Sequence, residues 1–461
     1  MEKIGDKSTL HIGFASFSFL SDWSGVERVT ADLAAAMLER GHRVTIIARA
    51  GGKPAKTVPV IPLPEGCCVL KLELDSRDGI ARARDDFKAA DLDVTVSMFG
   101  GRDLLWIPWL LNESGIPLVS AECIDPGVMT RERWNPYEHY GALMAADRIQ
   151  VLLRSYREQY PKTLQNRIDV IGNPSPSSAD VDWRARADKK GRVLLGLGRF
   201  EESQKQFSLL LRAWALLAPE FPEWSLELVG DGPQWELYRA MAETMGKNSR
   251  VAFTGSVTDT SPRYAAADLF CMPSRYEGFP MVLIEAAAHG LPLVGFRSCP
   301  AAREVIAPGT GALAEEDNPA SLADALRPLM AMPPEIREAI GREARRALGE
   351  ICERSVIFGL WEDTLLRAAQ CKGDTQLDRL ARERWDEALL GQAALEIVSR
   401  DHPLVTHSEE ENMENAKKMP AAAIARLMSG KDALERDHRL LQKKYDALLA
   451  QYRATAARRK K

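Results

Sequence analysis

The chain is 461 residues long, more than one hydrophobic core usually holds, and at about 150 residues per domain it divides into two or three. A net charge of −4 excludes a global electrostatic pull toward nucleic acid, and no run of about 18 consecutive apolar residues exists to span a bilayer. Seven cysteines, an odd number without metal-type spacing apart from the adjacent Cys67 and Cys68, fit a reducing compartment better than a disulfide framework. The N-terminal residues show no apolar stretch behind their charges, so no signal peptide is read and the expected location is the cytoplasm.

Residues 10–17 read as a first strand, after which Val26, Val29, Leu33, Met37 and Leu38 recur at helical spacing until Gly41-His42 stops the helix. Residues 43–49 form the next strand, and further strands are expected at 92–98, 117–120, 148–153 and 168–171, where Gly172-Asn173-Pro174 closes an α/β layer. Residues 173–191 carry turn formers and then charges, the composition of an interdomain linker. From Arg192 the alternation restarts, with strands at 192–197, 225–229, 250–253, 268–272 and 292–295, each followed by a helix or tight loop. The pattern predicts parallel strands joined by crossover helices, in two similar halves. Paired open sheets bind ligands at the carboxyl ends of their strands, in the cleft between domains, so chemistry is sought in residues that follow strands.

The most informative stretch is Arg275-Tyr276-Glu277-Gly278-Phe279-Pro280-Met281-Val282-Leu283-Ile284-Glu285. Glu277 closes a loop, and Glu285 lies inside the apolar helix expected over 281–288. The free N–H groups of such a helix end suit a phosphate, and the carboxylates suit the hydroxyls of an adjoining sugar, so the geometry reads as a nucleotide-sugar site. Helical glutamates ordinarily face water, but one inside a largely buried helix needs a partner. Gly25 opens the helix after the first strand, either to admit a diphosphate to the backbone or as an ordinary turn capped by Ser24 or Asp22. Arg199 and Lys205 flank the loop after strand 192–197, where they hold a departing nucleoside diphosphate or are simply solvated. Gly230-Asp231-Gly232-Pro233 is helix-entry punctuation and only weakly a nucleotide contact.

Assembled, these residues resemble the retaining GT-B fold glycosyltransferases of family 4, within glycosyl transferases group 1. The matching pieces are Ser24-Gly25-Val26-Glu27-Arg28-Val29 with Arg40-Gly41-His42-Arg43-Val44, Val170-Ile171-Gly172-Asn173-Pro174, Gly198-Arg199 with Gln204-Lys205, Val229-Gly230-Asp231-Gly232-Pro233, and Glu277-Gly278-Phe279-Pro280 with Glu285-Ala286. Their order and spacing agree with the family from residue 10 to about residue 370. The resemblance implies an α/β GT-B fold, two Rossmann-like doubly wound domains facing across a cleft. It divides the chain into an acceptor-side domain at 1–185, a nucleotide-sugar-binding domain at 186–352, a crossover helix at 353–370 and a helical extension at 371–461.

The resemblance also implies roles. Gly25 would offer a backbone amide to the donor diphosphate, with Arg199 and Lys205 as the basic pair on the same group. Glu277 would contact donor-sugar hydroxyls, the amides of Gly278, Phe279 and Met281 around Pro280 would line the sugar and phosphate with Gly230 beside them, and Glu285 would accept the ribose hydroxyls. Arg199, Lys205 and Glu277 are the catalytic residues so implied, without metal or cofactor, because cations and helix dipole neutralise the leaving diphosphate.

The chain departs from the family at three places. Ser24-Gly25 stands where many members have two glycines, and Ser298-Cys299-Pro300-Ala301 alters the usual Gly-Pro. Cys123 occupies a position where many relatives show a histidine or arginine near the sugar, although a lone cysteine is more often an apolar filler. No other acceptor contact is assigned. Leu360, Trp361 and Leu365 give the crossover helix an apolar face, and further helices are expected over 376–399 and 421–457. Leu434, Leu441 and Leu448 recur every seven residues, either as a short coiled coil self-associating through 430–457 or as a helix packed on its own domain. The basic Arg458-Arg459-Lys460-Lys461 is a solvated tail or a peripheral contact with the inner face of the cytoplasmic membrane.

The expected activity is transfer of a sugar, with retention, from a nucleoside diphosphate, uridine foremost, to a glycan or lipid-linked acceptor in envelope polysaccharide or lipopolysaccharide assembly. The alternatives are a non-catalytic scaffold that binds another glycosyltransferase, a nucleotide-sugar epimerase and a glycoside phosphorylase, since fold alone does not fix chemistry.

Overall fold

Short apolar runs of this chain pair side by side in parallel, which buries both faces of each sheet under crossover helices. The computed structural model describes residues 9–16, 19, 25–50, 62–74, 77–98, 106–111, 114–128, 139, 142–176, 191–246 and 249–382. The chain forms two compact units, one running to Ile171 and resuming at Phe358, the other comprising Gly172–Ile357.

The first unit holds β1 (His11–Ala15), β2 (Arg43–Arg49), β3 (Cys68–Leu72), β4 (Val94–Ser97), β5 (Leu118–Glu122), β6 (Arg148–Val151) and β7 (Ile168–Val170). Its sheet runs β3-β2-β1-β4-β5-β6-β7, so the winding reverses between β1 and β4. The helix Gly25–Glu39 buries Val29, Leu33 and Met37 at helical spacing. It ends at Gly41, whose φ of +85° needs no Cβ relief. His42 accepts from the Leu10 amide through Nδ1 and donates through Nε2 to Glu362, 3.0 Å away.

The second unit repeats the plan with β8 (Arg192–Leu197), β9 (Trp224–Val229), β10 (Val251–Gly255), β11 (Leu269–Met272), β12 (Leu293–Phe296) and β13 (Gly311–Ala314). Its order is β10-β9-β8-β11-β12-β13, with the reversal between β8 and β11. Phe200, Phe207, Trp214, Trp224 and Tyr238 anchor its core, and the helix Met281–Ala288 buries Leu283, Ile284, Ala286 and Ala287.

Two strands were not foreseen. β3 is an edge strand whose Cys68 and Lys71 face solvent, which weakens its apolar signal, and β13 is Gly-Ala-Leu-Ala, without a β-branched residue. The apolar face expected of Leu360 with Trp361 and Leu365 is corrected. In the helix Arg354–Ala369 the buried set is Ile357, Phe358, Trp361, Thr364, Leu365 and Ala368, while Leu360 is exposed, because a one-residue step turns a side chain about 100°. The helix expected from 376 is described as Gln376–Arg382, where Thr375 and Asp378 cap one another's backbone amides. Residues 177–190 of the linker, the rest of that helix, the seven-residue repeat with its self-association segment 430–457, and the basic terminus lie outside the described residues. Among the described residues no helix is long and apolar enough to cross a membrane.

Candidate functional site

A winding reversal leaves strand ends uncovered by crossover connections, so the carboxyl ends of β8 and β11 are where a ligand of the second unit is expected. β8 exits through Gly198-Arg199-Phe200 into a short helix, Glu202–Lys205; β11 exits through Pro273-Ser274-Arg275-Tyr276-Glu277 into the helix Met281–Ala288. The two exits are tied together by the Arg275 amide donating to the Gln204 carbonyl at 2.8 Å.

Lys205 and Glu277 meet across this junction. Lys205 Nζ donates to Glu277 Oε1 at 2.6 Å, and both side chains are largely buried. The stem of Lys205 lies against Gly198, where a Cβ would come 3.6 Å from its Cδ and Cε. Arg199 is exposed and has no ion-pair partner among the described residues, so one cation of the expected basic pair is neutralised and the other is open to an anion. The helix carrying Lys205 is held by Glu202, which accepts from the Tyr238 hydroxyl at 2.6 Å and from Ser208 Oγ. Burial, then the adjacent Glu202 carboxylate, pushes the Tyr238 hydroxyl well above its ordinary value, so it stays a donor. Gln206, next to Lys205, takes a left-handed conformation (φ 47°, ψ 38°), disfavoured for a side chain of this kind.

Gly230 serves the backbone. Its φ is +144°, and a Cβ there would come 1.9 Å from the Gly198 carbonyl oxygen, so the turn after β9 presses directly on the loop that carries Arg199. The Phe200 amide donates to the Asp231 carbonyl at 2.8 Å, completing that contact.

Glu285 sits in the second turn of its helix, partly buried, and accepts from the Tyr264 hydroxyl at 2.9 Å. This is the partner that a glutamate in an apolar helix requires. Pro280 precedes the helix without a side-chain cap, and the Met281 amide donates to the Phe279 carbonyl at 2.8 Å. The Phe279 ring packs on Gly172, where a Cβ would fall 2.9 Å from its Cζ. Gly278 follows Glu277 and is half-buried.

In the first unit Gly25 is exposed as the first residue of its helix, and a Cβ added there meets nothing within 4 Å. The carboxyl end of β5 holds buried polar groups that sequence reasoning passed over. Glu122 accepts from His139 Nε2 at 2.5 Å and from the Tyr160 hydroxyl at 2.8 Å. Ser16, after β1, donates to the buried Glu27 at 3.5 Å. Cys123 follows Glu122, and its thiol is pushed up to about 12 by burial and then by the Glu122 and Glu27 carboxylates, so it stays protonated. The available signal was a carboxylate ending a strand that otherwise reads Leu-Val-Ser-Ala; His139 and Tyr160 lay too far along the chain to be linked to it. Among the described residues no group of three or more His, Cys, Asp or Glu side chains is arranged to hold a metal ion.

Residues 191–332 match the family model of the glycosyl transferases group 1. An uncharacterized glycosyltransferase of Haemophilus influenzae is 26% identical over 317 residues, which cover 64% of this chain and 83% of that protein. The lipopolysaccharide core biosynthesis glycosyltransferase LpsE of Rhizobium meliloti is 39% identical over 106 residues, 23% of this chain and 30% of its own length. Such partial matches span between 20% and 44% of several other curated relatives. Among solved structures, Anabaena HepE in complex with UDP and glucose superposes with a TM-score of 0.60 at 18% identity, over 77% of this chain and 99% of its own, a likeness of fold.

Proposed function

Since residues 191–332 match the glycosyl transferases group 1 and the chain has the α/β two-domain fold of GT-B structures, we propose that it is a metal-independent, retaining glycosyltransferase of the family 4 type. Its donor is a nucleoside-diphosphate sugar, UDP foremost, and its acceptor is a glycan or lipid-linked glycan of envelope polysaccharide or lipopolysaccharide. The observation that carries this reading is the Lys205–Glu277 pair at the winding reversal of the second sheet, with Arg199, which has no ion-pair partner among the described residues, two residues beyond β8. The UDP in the HepE complex and the lipopolysaccharide role named for LpsE support the donor and the pathway class.

As the glycosidic C–O bond lengthens, negative charge builds on the β-phosphate. Lys205 and Arg199 stabilise it, Lys205 being already aimed by Glu277 and so needing little reorganisation. Glu277 and Glu285 accept hydroxyls of the sugar and the ribose, Gly278, Phe279 and Met281 offer backbone amides around Pro280, and Gly25 of the first unit offers its own amide to the diphosphate. The Met281 amide must exchange its present Phe279 carbonyl for the ligand to do so. The acceptor hydroxyl attacks on the face from which the diphosphate leaves, and the leaving oxygen takes its proton.

A thermal-shift screen of nucleoside diphosphates and their sugars tests the donor, because specific binding raises the melting temperature by mass action. UDP and a UDP-sugar are expected to give the largest shift. With the donor known, NMR of the product decides the stereochemistry, and an inverted anomer contradicts retention. Turnover that vanishes with a chelator and returns with a divalent cation contradicts metal independence. Nucleoside diphosphate released only when acceptor is present separates transfer from epimerisation or mere binding.

A further inference from the structure

Glu122 is 4% exposed at the end of an apolar strand, and among the described residues no lysine or arginine pairs with it. A buried carboxylate without a cation must be held by hydrogen bonds, and two are present. His139 Nε2 at 2.5 Å and the Tyr160 hydroxyl at 2.8 Å converge on the same oxygen, Oε2, their rings meeting edge to face 6.3 Å apart. One oxygen is clamped, and the other, Oε1, is left without a partner among the described residues.

A second observation points the same way. Side chains alternate along a strand, so Ser120 shares the sheet face of Glu122, and the register pairs Ser120 with Ser97 of β4. Both hydroxyls are buried, at 1% and 0% exposure, and neither finds a partner among the described residues. Two buried hydroxyls without partners among the described residues, on the sheet face that carries a fixed carboxylate at the strand's carboxyl end, support the subsite proposed below.

Glu27 is also buried near this sheet end, and acceptor oxygens of the two carboxylates favour a molecule rich in hydroxyl donors. The groups that suit a nucleoside diphosphate belong to the second unit, which leaves this end for the other substrate.

We propose that Glu122, clamped by His139 and Tyr160, is the specificity-determining group of an acceptor-sugar subsite in the first unit, Oε1 accepting a hydrogen bond from an acceptor hydroxyl. This rests on the glycosyltransferase reading above. The test uses the full chain saturated with UDP and a panel of methyl hexopyranosides as surrogate acceptors, with affinities measured by titration calorimetry or saturation-transfer NMR. The wild type is expected to bind at least one glycoside. Glu122→Gln keeps the shape but replaces the charged acceptor, and it should weaken that affinity about tenfold or more while UDP affinity is unchanged. Tyr160→Phe, which loosens the clamp but leaves the carboxylate, should give a smaller weakening, and it decides the matter if Glu122→Gln fails to fold. Equal glycoside affinity in wild type and variants, or no glycoside binding by a wild type that binds UDP, overturns the subsite and leaves the donor reading standing. A wild type that binds no nucleoside diphosphate overturns the donor reading and this inference with it.

Discussion

The two sheets of this protein are wound in the same order around a reversal of the same kind, yet the carboxyl ends of their strands carry opposite chemistry. In the second unit a lysine and a glutamate pair across the exits of β8 and β11 beside an arginine without an ion-pair partner among the described residues, the group proposed to meet an anion. In the first unit, buried carboxylates gather hydroxyl and imidazole donors and raise a neighbouring thiol, the cluster proposed above to receive a neutral hydroxyl. Topology decides where a ligand is received, and a few side chains decide which ligand it is. Their glycines differ likewise. Gly230 is pressed against the Gly198 carbonyl, whereas Gly25 has open space where a Cβ would go.

The sharpest way to break this contrast is Lys205→Ala. It should lower kcat about a hundredfold, as for a lost oxyanion donor. A steady-state rate within a few-fold of wild type removes the anion-stabilising role. The next largest effect is structural. Gly230→Ala must displace a carbonyl that would lie 1.9 Å from the new Cβ, and a loss of about 3 kcal/mol or more is expected in denaturant unfolding. Wild-type stability would show that the loop after β8 is not held from this side.

Gly25→Ala should do the reverse. Its Cβ meets nothing, so stability should hold or rise by about 0.5 kcal/mol, the helical preference of alanine over glycine. If a diphosphate approaches this backbone, the donor KM rises about tenfold, equivalent to roughly 1.4 kcal/mol. An unchanged KM makes Gly25 a plain turn. Tyr264→Phe removes one hydrogen bond to Glu285 and should cost about 1 kcal/mol of stability by thermal unfolding, with a modest rise in donor KM. The smallest effect is on Cys123. With its thiol pushed up to about 12, thiolate is scarce near neutrality, so at about pH 8 iodoacetamide should modify the exposed Cys68 and leave Cys123 intact by mass spectrometry. Rapid alkylation of Cys123 would contradict its placement beside two carboxylates.

Most strands were legible because fully buried parallel strands are continuous apolar runs, and β2 and β8 fall on the residues expected. The strands missed were β3 and β13 at sheet edges, where one flank lacks a neighbour and the composition loosens. Within the site, Lys205 and Glu277 were nameable as residues that follow strands. Their pairing was not, because 72 positions separate them and only the β8–β11 adjacency brings them together. The repeat of leucines near the C-terminus is legible as a period and lies outside the described residues.

By itself the amino-acid order determined the alternation of strand and helix, the helix over Met281–Ala288 and the residue types proposed to meet a nucleotide sugar, because periodicity and loop chemistry are local properties. Only the tertiary structure decided that Gly230 supports a backbone, that Glu285 is held by Tyr264, and that Glu122 is clamped by His139 and Tyr160. Those outcomes depend on which distant segments the sheets place side by side, and a linear spacing carries no record of that.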